Sequence, residues 1–347
     1  MAARPSLPGL LWTTTLLVAL ASCAQEPREI VLTGPTMGTT WNLKVVPGPA
    51  SVGPEEVRQL VSDALGEVDA AMSTYRPDSA VSRFNASTST DWIAVPPPLA
   101  ALVTESLRIG EASGGAFDIT VSPLVKLWGF GGGARRTEPP TEAEIAEARA
   151  RTGQEHLAAR LDPPALRKDL PGLAIDLDAI APGYAVDLVA GRLEAAGIDR
   201  YMIEIGGEVR VQGRNADGQA WRIGIERPEA GTRTVARVLH LDAGAVSTSG
   251  DYRDYFEFAR VRYSHTIDPR SGSPVRHGLA SVTVIRPTAT EADALATALA
   301  VLGPSEGYEL AERMGWAAYF VEHTPDGTQP RETRAFPPTT QPAESRP

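Results

Sequence analysis

The stretch 279-LASVTVIRPTATEADALATALAVLGPSEGYELAERMGWAAYFVE-322 changes its periodicity twice, and those changes decide the class of fold. Leu279 to Ile285 alternates apolar and polar residues, the period-two pattern of a half-buried strand. Thr290 to Leu302 reads as a helix, with Thr290 as its N-cap and Gly303 after its end. Ser305 to Met314 reads as another helix and Ala317 to Glu322 as another strand. Outward from here, helices and antiparallel-looking strands alternate irregularly, with no regular strand–helix–strand repeat and no internal repeat. The class is therefore α+β, mainly antiparallel sheets flanked by helices.

Just upstream lies Ser264 to Val275, SHTIDPRSGSPV. Asp268-Pro269 starts a turn and Ser271-Gly272-Ser273-Pro274 closes it, because Pro restricts the residue before it and Gly272 accepts positive φ. One imidazole, His265, and one carboxylate, Asp268, thus stand on a stiff loop. Val246 to Tyr252 reads as a second small-residue turn. Toward the N-terminus, Ile30 to Val46 reads as strand, turn at Gly34-Pro35, strand. Val57, Leu60, Val61, Ala64, Leu65, Val68 and Met72 mark one helix face, running into a polar loop at Met72 to Ser79. Further helices are expected at Pro98 to Ser113, from the capping box Thr141-x-x-Glu144 to about Arg151, and at Ala181 to Ala196. Leu161 to Leu177 suggests two strands around a turn, and Gly206-Gly207 a tight turn after the strand Tyr201 to Ile205. The glycine-rich run Gly129 to Arg136 lacks the lysine and helix start of a phosphate loop and reads as a surface loop.

The chain has 347 residues, 42% of them hydrophobic, which is enough for a sizeable core. A formal net charge of -10 argues against non-specific nucleic-acid binding and against a polybasic membrane patch. It also means that an anionic substrate needs a local cation or aimed backbone amides. Arg4 and the apolar run Leu10 to Leu20 form a signal too short to span a bilayer comfortably. Leu20-Ala21-Ser22-Cys23 resembles a bacterial lipobox, with Cys23 as the lipidated residue; an ordinary signal peptide with an incidental cysteine is the competing reading. The expected organisation is a signal peptide over 1–22, a lipidated tether over 23–29, one domain over 30–323, and a disordered Pro-rich tail over 324–347.

Four constellations carry possible chemistry. Asp293 and Thr297 are neighbours on a helix face, and two oxygen ligands beside open positions suit Mg²⁺. Asp176 and Asp178 stand just before a helix start, where carboxylates also serve simply as caps. Ala116-Phe117-Asp118 follows a double glycine that lets a flat ligand approach the backbone, unless it is an ordinary turn. His265 with Asp268 offers a proton acceptor near neutral pH. None of these decides the function by itself.

In order along the chain, MGT at Met37, MSTYRPDSAVSRFN from Met72, GGAFDITVSPL from Gly114, IDL…PGYAVD from Ile175, IGGEVRVQG from Ile205, TSGDYRDYF from Thr248, YSHTIDPRSGSPV from Tyr263 and ADALATALAVLG from Ala292 resemble the ApbE family. The resemblance implies an ApbE-like (T-fold-like) architecture and an FAD:protein FMN transferase, a periplasmic lipoprotein using Mg²⁺. FMN would pass to a Thr or Ser hydroxyl of an acceptor, typically a redox subunit of a respiratory complex, and AMP would leave. It further implies that Met37, Tyr75, Ala116, Phe117, Asp118, Asp176 and Ile267 contact the flavin nucleotide. Asp293 and Thr297 would ligate Mg²⁺, with the carbonyls of Ala179 and Ala296, and His265 would deprotonate the acceptor. Where many members carry Lys, this chain has Pro182, a candidate lining position through its ring and backbone. An Mg²⁺-dependent FAD pyrophosphatase and a non-catalytic FAD-binding lipoprotein are the alternatives. Asp293, Thr297 and His265 together argue against the second, since binding alone needs no base.

Overall fold

A computed structural model describes residues 29–48, 52–130, 136–228, 234–250 and 255–338. The signal segment, Cys23 and the tether up to residue 28 lie outside the described residues, as do 131–135 of the glycine-rich loop, Tyr252 and residues 339–347.

The chain opens with the strands β1 (Ile30–Thr36) and β2 (Thr39–Val45), then the helices α1 (Pro54–Met72) and α2 (Ala80–Ala86). β3 (Ile93–Ala94) leads to α3 (Pro97–Ala112), α4 (Ser122–Leu127) and α5 (Glu142–Arg149). β4 (Leu157–Leu161) and β5 (Pro164–Lys168) precede α6 (Ala181–Ala195). Next come β6 (Tyr201–Ile205), β7 (Glu208–Gln212), β8 (Trp221–Glu226), β9 (Val235–Leu241) and β10 (Ala243–Gly250). β11 (Tyr255–Phe258), β12 (Val261–Ser264), β13 (Ile267–Asp268) and β14 (Ser273–Pro274) are short. β15 (Leu279–Arg286), α7 (Ala289–Met314), β16 (Ala317–Thr324) and β17 (Gly327–Glu332) complete the described chain.

Eight strands form one sheet in the order β1-β2-β6-β7-β10-β15-β16-β17, and every neighbouring pair is antiparallel. The expected α+β class is what the chain adopts. The alternation within each strand sends side chains to two different cores. Leu43, Ile203, Val282 and Phe320 point to the helical side, where they pack with α1, α6 and α7. Val211, Val246, Tyr319 and Val321 point to the other side, which the hairpin of β8 and β9 covers with Trp221, Ile223, Ile225 and Leu239. A sheet buried on both faces is rigid, and the site is built on its helical side.

Several boundaries differ from the sequence reading, each for a local physical reason. The first turn is at Met37-Gly38 instead of Gly34-Pro35. Both residues take positive φ, 46° and 71°, as tight two-residue hairpin turns require, while Pro35 is tolerated because β1 is a sheet edge. Val246 to Gly250 is no turn but the end of β10, paired with β15. Its small residues let α7 pack closely over the strand, bringing the Ser249 hydroxyl to 3.4 Å from that of Thr297. Of the two strands expected within 161–177, β5 lies inside that range, while its partner β4 precedes it and ends at Leu161. Thr288, not Thr290, is the N-cap of α7, its hydroxyl accepting from the Glu291 N–H. Gly303, at φ 79° and ψ -172°, is non-helical and Pro304 follows, so α7 consists of two helical stretches that meet at the glycine, as the sequence reading expects. The tail expected to be disordered from residue 324 is ordered through Pro338: β17 pairs with β16, Thr333 is buried and Phe336 sits in the second core. The polar composition of β17 reflects an exposed sheet edge, not an absence of structure.

Candidate active site

α6 and α7 cap each other. The Asp187 carboxylate on α6 accepts from the backbone N–H groups of Ala289 and Thr290 and from the Thr290 hydroxyl, satisfying the first turn of α7. Asp293 on α7 accepts from the Gly183 N–H at 3.0 Å, in the first turn of α6. Gly183 permits this contact, because a Cβ there would stand 2.4 Å from the Ala289 carbonyl oxygen and 2.8 Å from the Asp293 Cβ. Asp293 is consequently fixed and 5% exposed. One turn on, Thr297 faces the same space.

That space is a cavity of about 500 Å³. Asp293 and Thr297 form one wall, and Asp176, Asp178 and Ala179 another. Ala116, Phe117 and Asp118 come from the segment after α3, His265 from the turn before β13, and Ile267 from β13 itself. Asp178 also borders a second pocket of about 720 Å³, which holds Met37, Tyr75, Arg76 and Pro182. The two pockets therefore meet at Asp178. Among the residues expected at the site, only Ala296 lines neither pocket: its side chain is fully buried. The fold thus gathers residues from six separate segments into one elongated depression.

Each segment is held by bonds that its sequence supplies. The Asp176 N–H donates to the Ile119 carbonyl at 2.7 Å, joining two of the loops that line the cavity. Asn85 clasps Ile175 through both its amide atoms, at 2.8 Å each. Asp118 accepts from the Thr120 N–H and hydroxyl, both at 2.7 Å. Arg76 binds Asp69 on α1 and Asp78 before α2, pinning the loop that carries the exposed Tyr75. Asp268 is engaged through both oxygens by Arg270, so the carboxylate paired with His265 by sequence belongs to a surface ion pair. The Phe130 ring lies edge-on to His265, 6.4 Å between centroids.

The electrostatics are acidic. Burial, then the neighbouring charges of Glu208 and Asp178, push the Asp293 carboxyl well above its ordinary range. Burial and then Asp176 raise Asp178 to about 7, and burial and then Glu204 raise Glu208 to about 7. Burial also raises Asp176 and Asp118. Crowded buried carboxylates of this kind fit a divalent cation, which would favour their ionised forms. Among the described residues, no three His, Cys, Asp or Glu side chains are placed to hold a metal unaided. A cation here would need the Thr297 hydroxyl, backbone carbonyls and oxygens of a substrate beside Asp293, a donor set that suits Mg²⁺.

Known proteins show the same arrangement of chain. The sequence pattern of the ApbE family matches residues 37–320. The chain belongs to the ApbE family. It is 43% identical over 329 residues to an FAD:protein FMN transferase of Vibrio cholerae, covering 94% of this chain and 98% of that protein. Against the FAD:protein FMN transferase of Escherichia coli K12 the identity is 40%, covering 89% and 92%. The solved flavin transferase ApbE from Vibrio cholerae superposes with a TM-score of 0.83 at 42% identity, over 89% of this chain and 98% of that one. The apo flavinyl transferase ApbE of Pseudomonas stutzeri gives 0.82 at 44% identity, over 89% and 95%.

Two acids at or near the cavity have places in the fold that the sequence reading does not assign. Asp178 joins the two pockets, although before a helix start it resembles an ordinary cap. Glu208 stands just after the Gly206-Gly207 turn, and its influence on Asp293 arises only when β7 is packed beneath α7. The glycine in Pro182-Gly183-Tyr184 was a usable signal for a close helix crossing.

Proposed function

We propose that this chain is an FAD:protein FMN transferase that attaches FMN, through its phosphate, to a Thr or Ser hydroxyl of an acceptor protein. One observation carries the reading: His265, Asp293 and Thr297 line one cavity, and that cavity shares Asp178 with the neighbouring pocket bearing Tyr75. A base, a hard-cation site and a platform for a flat ring are the parts that this transfer needs. The acceptor oxygen attacks the phosphorus next to the riboflavin moiety. The bridging P–O bond breaks, and AMP departs with the bonding pair. His265 takes the proton of the attacking hydroxyl. Asp293 and Thr297, with the carbonyls of Ala179 and Ala296, would hold Mg²⁺, which offsets diphosphate charge that an acidic chain cannot neutralise. Met37, Tyr75, Ala116, Phe117, Asp118, Asp176, Pro182 and Ile267 would line the nucleotide. Asp176 would accept from the flavin ring, and Tyr75 would stack on a flat part of FAD.

The same reading puts the protein on the periplasmic side of a bacterial membrane, held by a lipid on Cys23, with acceptors among respiratory electron-transfer subunits. The deciding experiment incubates the chain without residues 1–23 with FAD, Mg²⁺ and a candidate acceptor domain, followed by intact-mass measurement. Addition of one FMN mass to the acceptor is expected. Release of FMN and AMP with an unmodified acceptor would instead make the protein a pyrophosphatase, and unchanged FAD would leave only a binding role. Fatty-acid labelling that disappears in Cys23→Ala checks the anchor.

A further inference from the structure

The strands β11 and β12 form a two-stranded hairpin that ends one residue before His265. Cross-strand partners share a face, and so do residues two apart. Phe256 pairs with Tyr263, and Phe258 pairs with Val261. All four side chains therefore lie on one face as a continuous apolar ladder. At its inner end the ladder is anchored: the Phe256 and Tyr263 rings stack at 5.0 Å, and Tyr263 stacks on the buried Trp128 at 5.6 Å. Phe130 packs against Phe256 and also against His265. At its outer end the ladder runs into solvent, with Phe258 37% and Val261 41% exposed. Exposed large apolar side chains in register across a hairpin, on a face that begins at a reactive group, mark a binding surface. The tip also carries Arg260, in a chain whose net charge is -10, while Arg262 faces Glu257 across the strands on the opposite face, with its guanidinium over the Tyr255 ring.

We infer that the Phe258–Val261 end of this ladder is the docking strip for the acceptor polypeptide, which lies on it in extended form while its hydroxyl reaches His265. The inference rests on the transferase reading above. The acceptor has to approach His265, and the ladder is the apolar surface that leads there. Strand rise puts Val261 about 10 Å from Ser264 along the hairpin, or about three residues of an extended segment. The strip thus selects an apolar side chain three to four residues from the modified hydroxyl. Arg260 at the tip favours a carboxylate beyond it, a sign of charge that the acidic chain would otherwise repel.

The test uses the soluble chain, FAD, Mg²⁺ and a degenerate peptide library with a fixed central threonine, from which FMN-bearing peptides are isolated and sequenced. Wild-type protein is expected to enrich apolar residues three to four positions from the threonine. The double variant Phe258→Ser, Val261→Ser should lose that enrichment and transfer roughly tenfold more slowly at low peptide concentration. It should bind FAD as wild type does, since neither residue lines the nucleotide pockets. Phe258→Leu, Val261→Ile should restore the preference, which separates docking from misfolding. Equal enrichment by wild type and the serine variant overturns the inference while leaving the transferase intact. A wild-type dimer in sedimentation that the serine variant dissociates, with peptide preference unchanged, also overturns it and makes the strip a self-contact. If wild type modifies no peptide and no acceptor protein, the transferase reading falls and the strip falls with it.

Discussion

His265 is the residue on which the proposed chemistry turns. It lies on a short turn between β12 and β13, bordered by Phe130 and by the cavity with Asp293 and Thr297. His265→Ala is expected to retain FAD binding, followed by flavin fluorescence, and to lose transfer by about 10² to 10⁴-fold. Transfer at the wild-type rate would remove His265 from the role of base. Asp293→Asn preserves an acceptor for the Gly183 N–H but removes a charge. The protein should fold normally while its Mg²⁺ requirement rises by about tenfold or more, read by titrating the metal. A second buried charge is purely architectural. Lys168 donates to the carbonyls of Phe84, Asn85 and Leu173, at 2.8–3.3 Å, and thereby ties the loop before Ile175 to α2. Lys168→Met leaves those carbonyls without their donor and should cost about 2–4 kcal/mol. Burial holds the Lys168 ammonium below its ordinary 10.5. Between its folded value and 10.5 the unfolded chain binds more protons, so this group's contribution to stability rises with pH. The stability difference between wild type and Lys168→Met, from denaturant midpoints, should therefore widen as pH climbs toward 10.5.

At the scale of elements, the crossing of α6 and α7 sets the position of Asp293, the ligand proposed for the cation. An alanine inside a helix normally improves stability by roughly 1 kcal/mol over glycine. At Gly183 the sign should reverse, because the new methyl would sit 2.4 Å from the Ala289 carbonyl oxygen and push Asp293 away. Gly183→Ala is expected to lose about 1–3 kcal/mol and to weaken metal dependence together, measured by thermal melting and metal titration. A stabilised variant with normal metal response would show that the helices separate freely. Much of this was legible beforehand. The spacing of Asp293 and Thr297 and the helix that carries them follow from periodicity alone. The Thr141–Glu144 capping box forms as its sequence pattern dictates. The true N-cap, Thr288, was less visible because Thr290 is equally suitable chemically and is instead occupied by Asp187 from another helix. The small-residue run Val246 to Gly250 looked like a turn because its β pairing and its cover by α7 both come from distant chain.

For the whole molecule, the last ordered residues matter more than their composition suggests. Thr333 accepts from the Ala318 N–H and donates to the Trp316 carbonyl, and Phe336 packs on Tyr319 in the second core. Arg237 lies against both rings and pairs with Glu332. Ending the chain at Glu322 should lower the melting temperature and expose apolar surface to a hydrophobic dye, and Phe336→Ala alone should cost about 3 kcal/mol. A truncated chain that melts with wild type would make this C-terminal segment dispensable. By itself the sequence determined the elements, the α+β class and the types of the reactive groups. Helical and strand periodicity are local, and motif residues identify themselves. The tertiary structure decided which carboxylates face one another, that Asp268 serves Arg270 and not His265, and that a polar tail is an edge strand. Those outcomes depend on packing between segments far apart in the chain, which crowds acids from separate loops and helices into one cavity.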